Sequence, residues 1–168
     1  MIHVCSLARL HNTVDQTGAR HIVTLMKDIA QVRRPAAVPA HNHLLLDMDD
    51  ITEPIEGCVP PCGEHVEQLI SFVTKWDRAA PLVVHCFAGI SRSTAGAFIT
   101  ACCLNPGRDE RAIARQIRAA SPTAQPNIRL VSLADEILGR DGRMVRAIDE
   151  IGFAQPAMEA MPFRIDLE

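Results

Sequence analysis

The sequence predicts an α/β fold, a small and mostly parallel central sheet flanked by helices. Three observations carry this. Pro81-Leu82-Val83-Val84-His85 is a short, wholly apolar run of the kind buried on both faces of a parallel sheet. Candidate strands fall in the first part of the chain and candidate helices in the last. A length of 168 residues suits a single domain with at most a small appendage.

The elements follow in order. A first strand begins at Ile2 within 2–10 and leads into a polar stretch over 12–20. His21-Ile22-Val23-Thr24-Leu25-Met26 is β-branched and reads as a second strand. A Pro- and Ala-rich loop over 33–40 precedes a third, over 43–48. Its alternation puts Leu46 and Met48 on one face and Asp47 on the other, with His41 and His43 solvated. Asp49-Asp50 ends that strand, and Pro54, Gly57, Pro60, Pro61 and Gly63 make the next segment a loop. Val66, Leu69, Ile70, Val73 and Trp76 then recur at helical spacing. The stretch 93–104 is small and apolar nearly all round, hence a buried helix, and Asn105-Pro106-Gly107 breaks it. Asp109 caps the next helix, which turns Ile113 and Ile117 inward. Beyond Pro122 and Pro126, a helix over 127–138 buries Leu130, Leu133, Ile137 and Leu138, and a last one covers 144–151. After Gly152 the pattern dissolves into a surface tail, with Leu167-Glu168 read as a vector scar.

Composition excludes several classes. Hydrophobic residues make up 48% and charged residues 22%, which excludes wholesale disorder and a coiled coil. A net charge of −3 excludes a generally basic nucleic-acid binder. No uncharged apolar run approaches the roughly 20 residues that cross a bilayer, and the start lacks the features of a secretory signal. Among the six cysteines only Cys58 and Cys62 are spaced as a pair, and they fit no disulfide framework; the expectation is free thiols in the reducing cytoplasm. Cys58, Cys62 and His65 could hold zinc, but Pro60 and Pro61 lie inside the cluster and no fourth ligand is near, so no metal and no cofactor is assigned.

One stretch carries chemistry: His85-Cys86-Phe87-Ala88-Gly89-Ile90-Ser91-Arg92-Ser93. A buried strand ends at a cysteine, a short loop with a glycine follows, and Arg-Ser opens a helix. Loop N–H groups and the helix dipole converge on one point, which makes an anion site. Gly89 permits a backbone conformation that other residues resist. Arg92 adds a planar fork matched to two phosphate oxygens. The same surroundings favour Cys86 as a thiolate, and a thiolate beneath a bound phosphate can attack phosphorus.

This segment resembles the signature of the cysteine-dependent protein tyrosine phosphatase superfamily: His-Cys, five residues, Arg, then Ser or Thr. The wording Ala-Gly-Ile-Ser-Arg-Ser-Thr is similar to a small, dual-specificity-like bacterial branch. The segment from Ser6 to Met26 resembles that group's early strand-helix-strand unit. Asp49-Asp50 resembles its acid loop, and Pro126-Asn127 stands where a late Asn is expected. The resemblance implies a phosphatase domain over 1–152 and a tail over 153–168. It also implies a metal-independent phosphate monoester hydrolase, of protein tyrosine or dual-specificity type, acting on phosphorylated substrates without nucleic acid or membrane.

Carried over residue by residue, Cys86 is the nucleophile and Arg92 clamps the phosphoryl oxygens together with the loop Phe87, Ala88, Gly89, Ile90 and Ser91. Ser93 stabilises the thiolate as it leaves. His85 tunes the cysteine from behind, and Asn127 holds the loop's shape, although an Asn after Pro is equally a helix N-cap. Asp50, followed by Ile51, matches the general acid best; Asp49 is the alternative. Two other readings remain at this stage. One is a catalytically weak pseudophosphatase that binds phosphorylated ligands; the other is rhodanese-like sulfur transfer. Substrate identity and oligomeric state stay open.

Overall fold

The computed structural model describes residues 1–167; Glu168, half of the pair read as a vector scar, lies outside them. Five strands form one sheet: β1 (Ile2–Ser6), β2 (His21–Leu25), β3 (His43–Leu46), β4 (Leu82–Cys86) and β5 (Phe163–Ile165), in the order β3-β2-β4-β1-β5. Every pairing is parallel except that of β1 with β5. All five residues of β4 are buried, because the strand is central and covered on both faces.

Side-chain alternation sorts the sheet into two unequal layers. Cys5, Ile22 and Val83 face a small cluster under helix α1 (Leu10–Thr17), which contributes Leu10 and Val14. Val4, Val23, Leu25, Leu82 and Val84 face the main core. That core is closed by α2 (Gly63–Thr74), α3 (Arg92–Leu104), α4 (Glu110–Ala120), α5 (Ile128–Ile137) and α6 (Arg143–Glu150). Helix α3 is buried along almost its whole length, as its run of small apolar residues requires. Asp109 caps α4 through the Arg111 N–H, as expected.

Three expectations are corrected. Ile137 is 41% exposed, because the buried stripe of α5 runs through Leu130, Val131 and Ala134 instead. His43 is half-buried on β3, and the Thr24 hydroxyl holds its Nε2 at 2.8 Å. The segment after Gly152 is more than a surface tail. Phe163 and Ile165 turn inward and Arg164 outward as β5 pairs antiparallel with β1. A three-residue alternation is too short to stand out in a sequence.

Candidate active site

The site lies where β4 gives way to α3. Cys86 ends the strand opposite Ser6 of β1 and is 2% exposed. The Gly89 N–H donates to its Sγ at 3.3 Å, and the Ser93 hydroxyl lies 3.1 Å from the same sulfur. Gly89 has φ +76°, and a Cβ there would sit 2.9 Å from the backbone of Cys5 and Ser6, so both the turn and the close approach require glycine. Outward-turned carbonyls hold the loop. Leu7 N–H donates to Phe87 O at 3.2 Å, Ala160 N–H to Ala88 O at 2.9 Å, Gln125 N–H to Ile90 O at 2.9 Å, and Asn127 N–H to Ser91 O at 3.3 Å.

Arg92 is 8% exposed although charged. Its Nη1 donates to the Met48 carbonyl at 2.8 Å, which ties the loop to the end of the third strand's extension. Its Nε lies 3.9 Å from Asp50 Oδ2 and makes no hydrogen bond among the described residues. A buried guanidinium edge with a spare donor is suited to an anion.

The two adjacent aspartates diverge. Asp50 Oδ1 accepts from the Ser91 hydroxyl at 2.7 Å and from Asn127 Nδ2 at 2.8 Å, so it is fastened to the loop. Asp49 is tied elsewhere: its Oδ2 accepts from the Val59 N–H at 2.7 Å and from Lys27 Nζ at 3.4 Å. Chiefly the Val59 N–H, with Lys27 beside it, holds the Asp49 carboxyl below the usual carboxylate range. Asn127 does two jobs. Its Oδ1 caps α5 through the Leu130 N–H, and its side-chain amide orients Asp50, while only its backbone N–H supports the loop.

His85 is fully buried, and its Nε2 lies 2.6 Å from the Thr24 hydroxyl, which also bonds His43. Neither Thr24 nor Met48 carried any sequence signal for such a role. Burial pushes His85 down to about 3 and His43 down to about 4. A histidine near 6.5 in the unfolded chain therefore takes up a proton that the folded chain refuses. Its contribution is intact above that value and is lost as pH falls toward the folded values. Thermal midpoints are expected to drop steadily from about pH 7 to about pH 4, with a shallower slope in His85→Gln. An unchanged slope would assign the loss to other groups.

The remaining candidates separate clearly. Phe87 is 67% exposed, so it stands on the rim of a cavity of ≈ 300 Å³ that Asp49, Asp50 and Arg92 also line. Cys62 and His65 serve to start α2: the Cys62 N–H donates to His65 Nδ1 at 3.2 Å. Among the described residues no group of three His, Cys, Asp or Glu side chains is placed to hold a metal ion. All six cysteines are free thiols, and burial pushes Cys5 up to about 12, which leaves it inert beside Cys86.

Residues 54–121 match the family model of protein-tyrosine phosphatase, a stretch running through α2, β4, the loop, α3 and α4. No curated protein sequence matches the chain. Among solved structures, DUSP15 superposes with TM-score 0.65 at 20% identity, covering 92% of this chain and 94% of that one. The human tyrosine phosphatase-like serine/threonine/tyrosine-interacting protein gives 0.64 at 19%, over 83% and 92%. PTPMT1 in complex with PI(5)P gives 0.63 at 16%, over 88% and 94%. The α/β architecture is thus that of the protein tyrosine and dual-specificity phosphatases. Over residues 54–121 the chain is similar to the protein-tyrosine phosphatases, and with these solved structures it shares a fold. No helix among the described residues is long and apolar enough to cross a membrane.

Proposed function

We propose that the protein hydrolyses phosphate monoesters through a phosphocysteine on Cys86, with protein tyrosine or dual-specificity phosphatase activity. One observation carries the reading. A buried cysteine sulfur at the N-terminus of α3 accepts from the Gly89 N–H and lies 3.1 Å from the Ser93 hydroxyl, and a buried arginine whose Nε makes no hydrogen bond among the described residues opens the same helix.

The chemistry follows from this arrangement. Loop N–H groups and Arg92 take the phosphoryl oxygens, and they supply the charge stabilisation that a metal would otherwise give. The Cys86 thiolate attacks phosphorus in line, the ester P–O bond breaks, and protonated Asp50 gives its proton to the leaving oxygen. Asp50, now a carboxylate, takes a proton from water as that water attacks phosphorus. The P–S bond breaks, phosphate leaves, and Ser93 donates to the returning thiolate. Asn127 and Ser91 orient Asp50 through both steps, while His85 stays neutral behind the strand. The free thiols support a reducing, cytoplasmic setting.

The test is hydrolysis of para-nitrophenyl phosphate in reducing buffer with excess chelator. Turnover that survives chelation is the expected result. Turnover that needs an added divalent cation, or a wild-type protein that binds phosphate without turnover, would overturn the reading.

A further inference from the structure

We propose that the C-terminal segment around Glu159 and Ala160 belongs to the catalytic apparatus as a positioning strap, holding the peptide unit that presents the Gly89 N–H to Cys86. The proposal rests on the phosphatase reading and deepens it, because the strap lies some 70 residues beyond the motif, outside the matched segment 54–121.

The geometry is specific. The carbonyl of Ala88 and the N–H of Gly89 belong to one peptide unit, and in a trans peptide they point in opposite directions. On the outer side, Ala160 N–H donates to Ala88 O at 2.9 Å. On the inner side, Gly89 N–H donates to Cys86 Sγ at 3.3 Å. The strap thus grips the same peptide plane that serves the sulfur. The carbonyls of Phe87, Ile90 and Ser91 are held by Leu7, Gln125 and Asn127, which belong to the body of the fold. The carbonyl of Ala88 takes its bond from the strap.

Polar contacts locate the strap on both sides of this point. Glu159 Oε1 accepts from the Ser6 hydroxyl at 2.5 Å and lies 3.7 Å from Arg9 Nε. Ser6 is the register partner of Cys86, so this anchor is set on the strand beside the nucleophile. Downstream, β5 pairs with β1. Upstream, Arg118 donates to the carbonyls of Ile151, Gly152 and Phe153, and Ala154 N–H donates to Gln125 Oε1. Met158 and Met161 are 95% and 72% exposed, whereas Ala160 is 2% exposed. Hydrophobic burial of the segment does not explain its course; the hydrogen bonds do.

The deciding measurement is the rate at which iodoacetamide alkylates Cys86 near pH 6, followed by the mass of the Cys86 peptide in the full chain. It is recorded beside para-nitrophenyl phosphate kinetics and thermal midpoints. Ala160→Pro removes the donor, while also fixing φ at residue 160 and restricting Glu159, and is expected to slow alkylation and kcat together by roughly tenfold, the effect of losing the Gly89 N–H bond to a charged sulfur. Glu159→Ala is expected to move both in the same direction by a smaller factor, and Glu159→Gln, which still accepts from Ser6, recovers most of that loss. Folded variants that alkylate and turn over at the wild-type rate would overturn the proposal. If Ala160→Pro fails to fold, the Glu159 pair decides by the same criterion. A wild type without hydrolysis would sink the phosphatase reading, yet the alkylation comparison would still judge the strap.

Discussion

Cys86→Ser is expected to abolish turnover of para-nitrophenyl phosphate, with kcat falling by roughly 10⁴-fold or more while inorganic phosphate still binds. The surroundings of Cys86 explain the size of the effect. The Gly89 N–H donates to the Cys86 sulfur, the Ser93 hydroxyl lies 3.1 Å from it, and neither of these partners is a general base. The proposed attack needs an anionic nucleophile, and a serine hydroxyl, whose anion is far more basic than a thiolate, supplies none without a base. Binding persists because Arg92 and the loop N–H groups are untouched. A serine variant within roughly tenfold of wild type would mean that another group attacks phosphorus.

The second large effect is expected at the acid. Asp50→Asn should lower kcat by about 10²–10⁴ and remove the basic limb of the pH–rate profile, whereas Asp49→Asn should leave the shape of that profile intact. The contrast follows from where the two carboxylates are tied. Asp50 shares hydrogen bonds with Ser91 of the loop and with Asn127, and it faces Arg92 across 3.9 Å. Asp49 is spent on the Val59 N–H and Lys27. Asparagine keeps the shape of Asp50 and its acceptor oxygen, so the loop stays in place and only the proton is lost. The loss should be greater with phenyl phosphate than with the para-nitrophenyl ester, since the poorer leaving group needs that proton more. A basic limb that disappears in Asp49→Asn instead would move the acid by one residue.

The candidate site was legible where its chemistry is local. Nine consecutive residues from His85 to Ser93 contain the strand end, the glycine turn and the helix start, and each constraint acts over a few bonds. The helices were legible for a related reason: α2 and α4 repeat an apolar spacing over eleven or twelve residues. Contacts between distant segments were not. Thr24 bonds both His43 and His85 only because β3 and β4 flank β2, a fact of sheet order that no single strand encodes. The Met48 carbonyl serves Arg92 as backbone, so residue type says nothing about it. Helix α1 looked like a polar stretch because it buries only Leu10, Thr13 and Val14, and the strand-helix-strand resemblance was the better guide. Asn127 fitted both a cap and a site residue in sequence, and in the structure its two side-chain ends do one job each.

The central claim is a covalent phosphocysteine on Cys86, and rapid acid quenching tests it most directly. The protein is mixed with a fast-leaving aryl phosphate, quenched within milliseconds, digested and weighed. A phosphoryl group on the peptide that carries Cys86, appearing with a burst of phenol and absent in Cys86→Ser, is the predicted result. Full turnover with that peptide unmodified at every quench time, and no burst, would contradict the account.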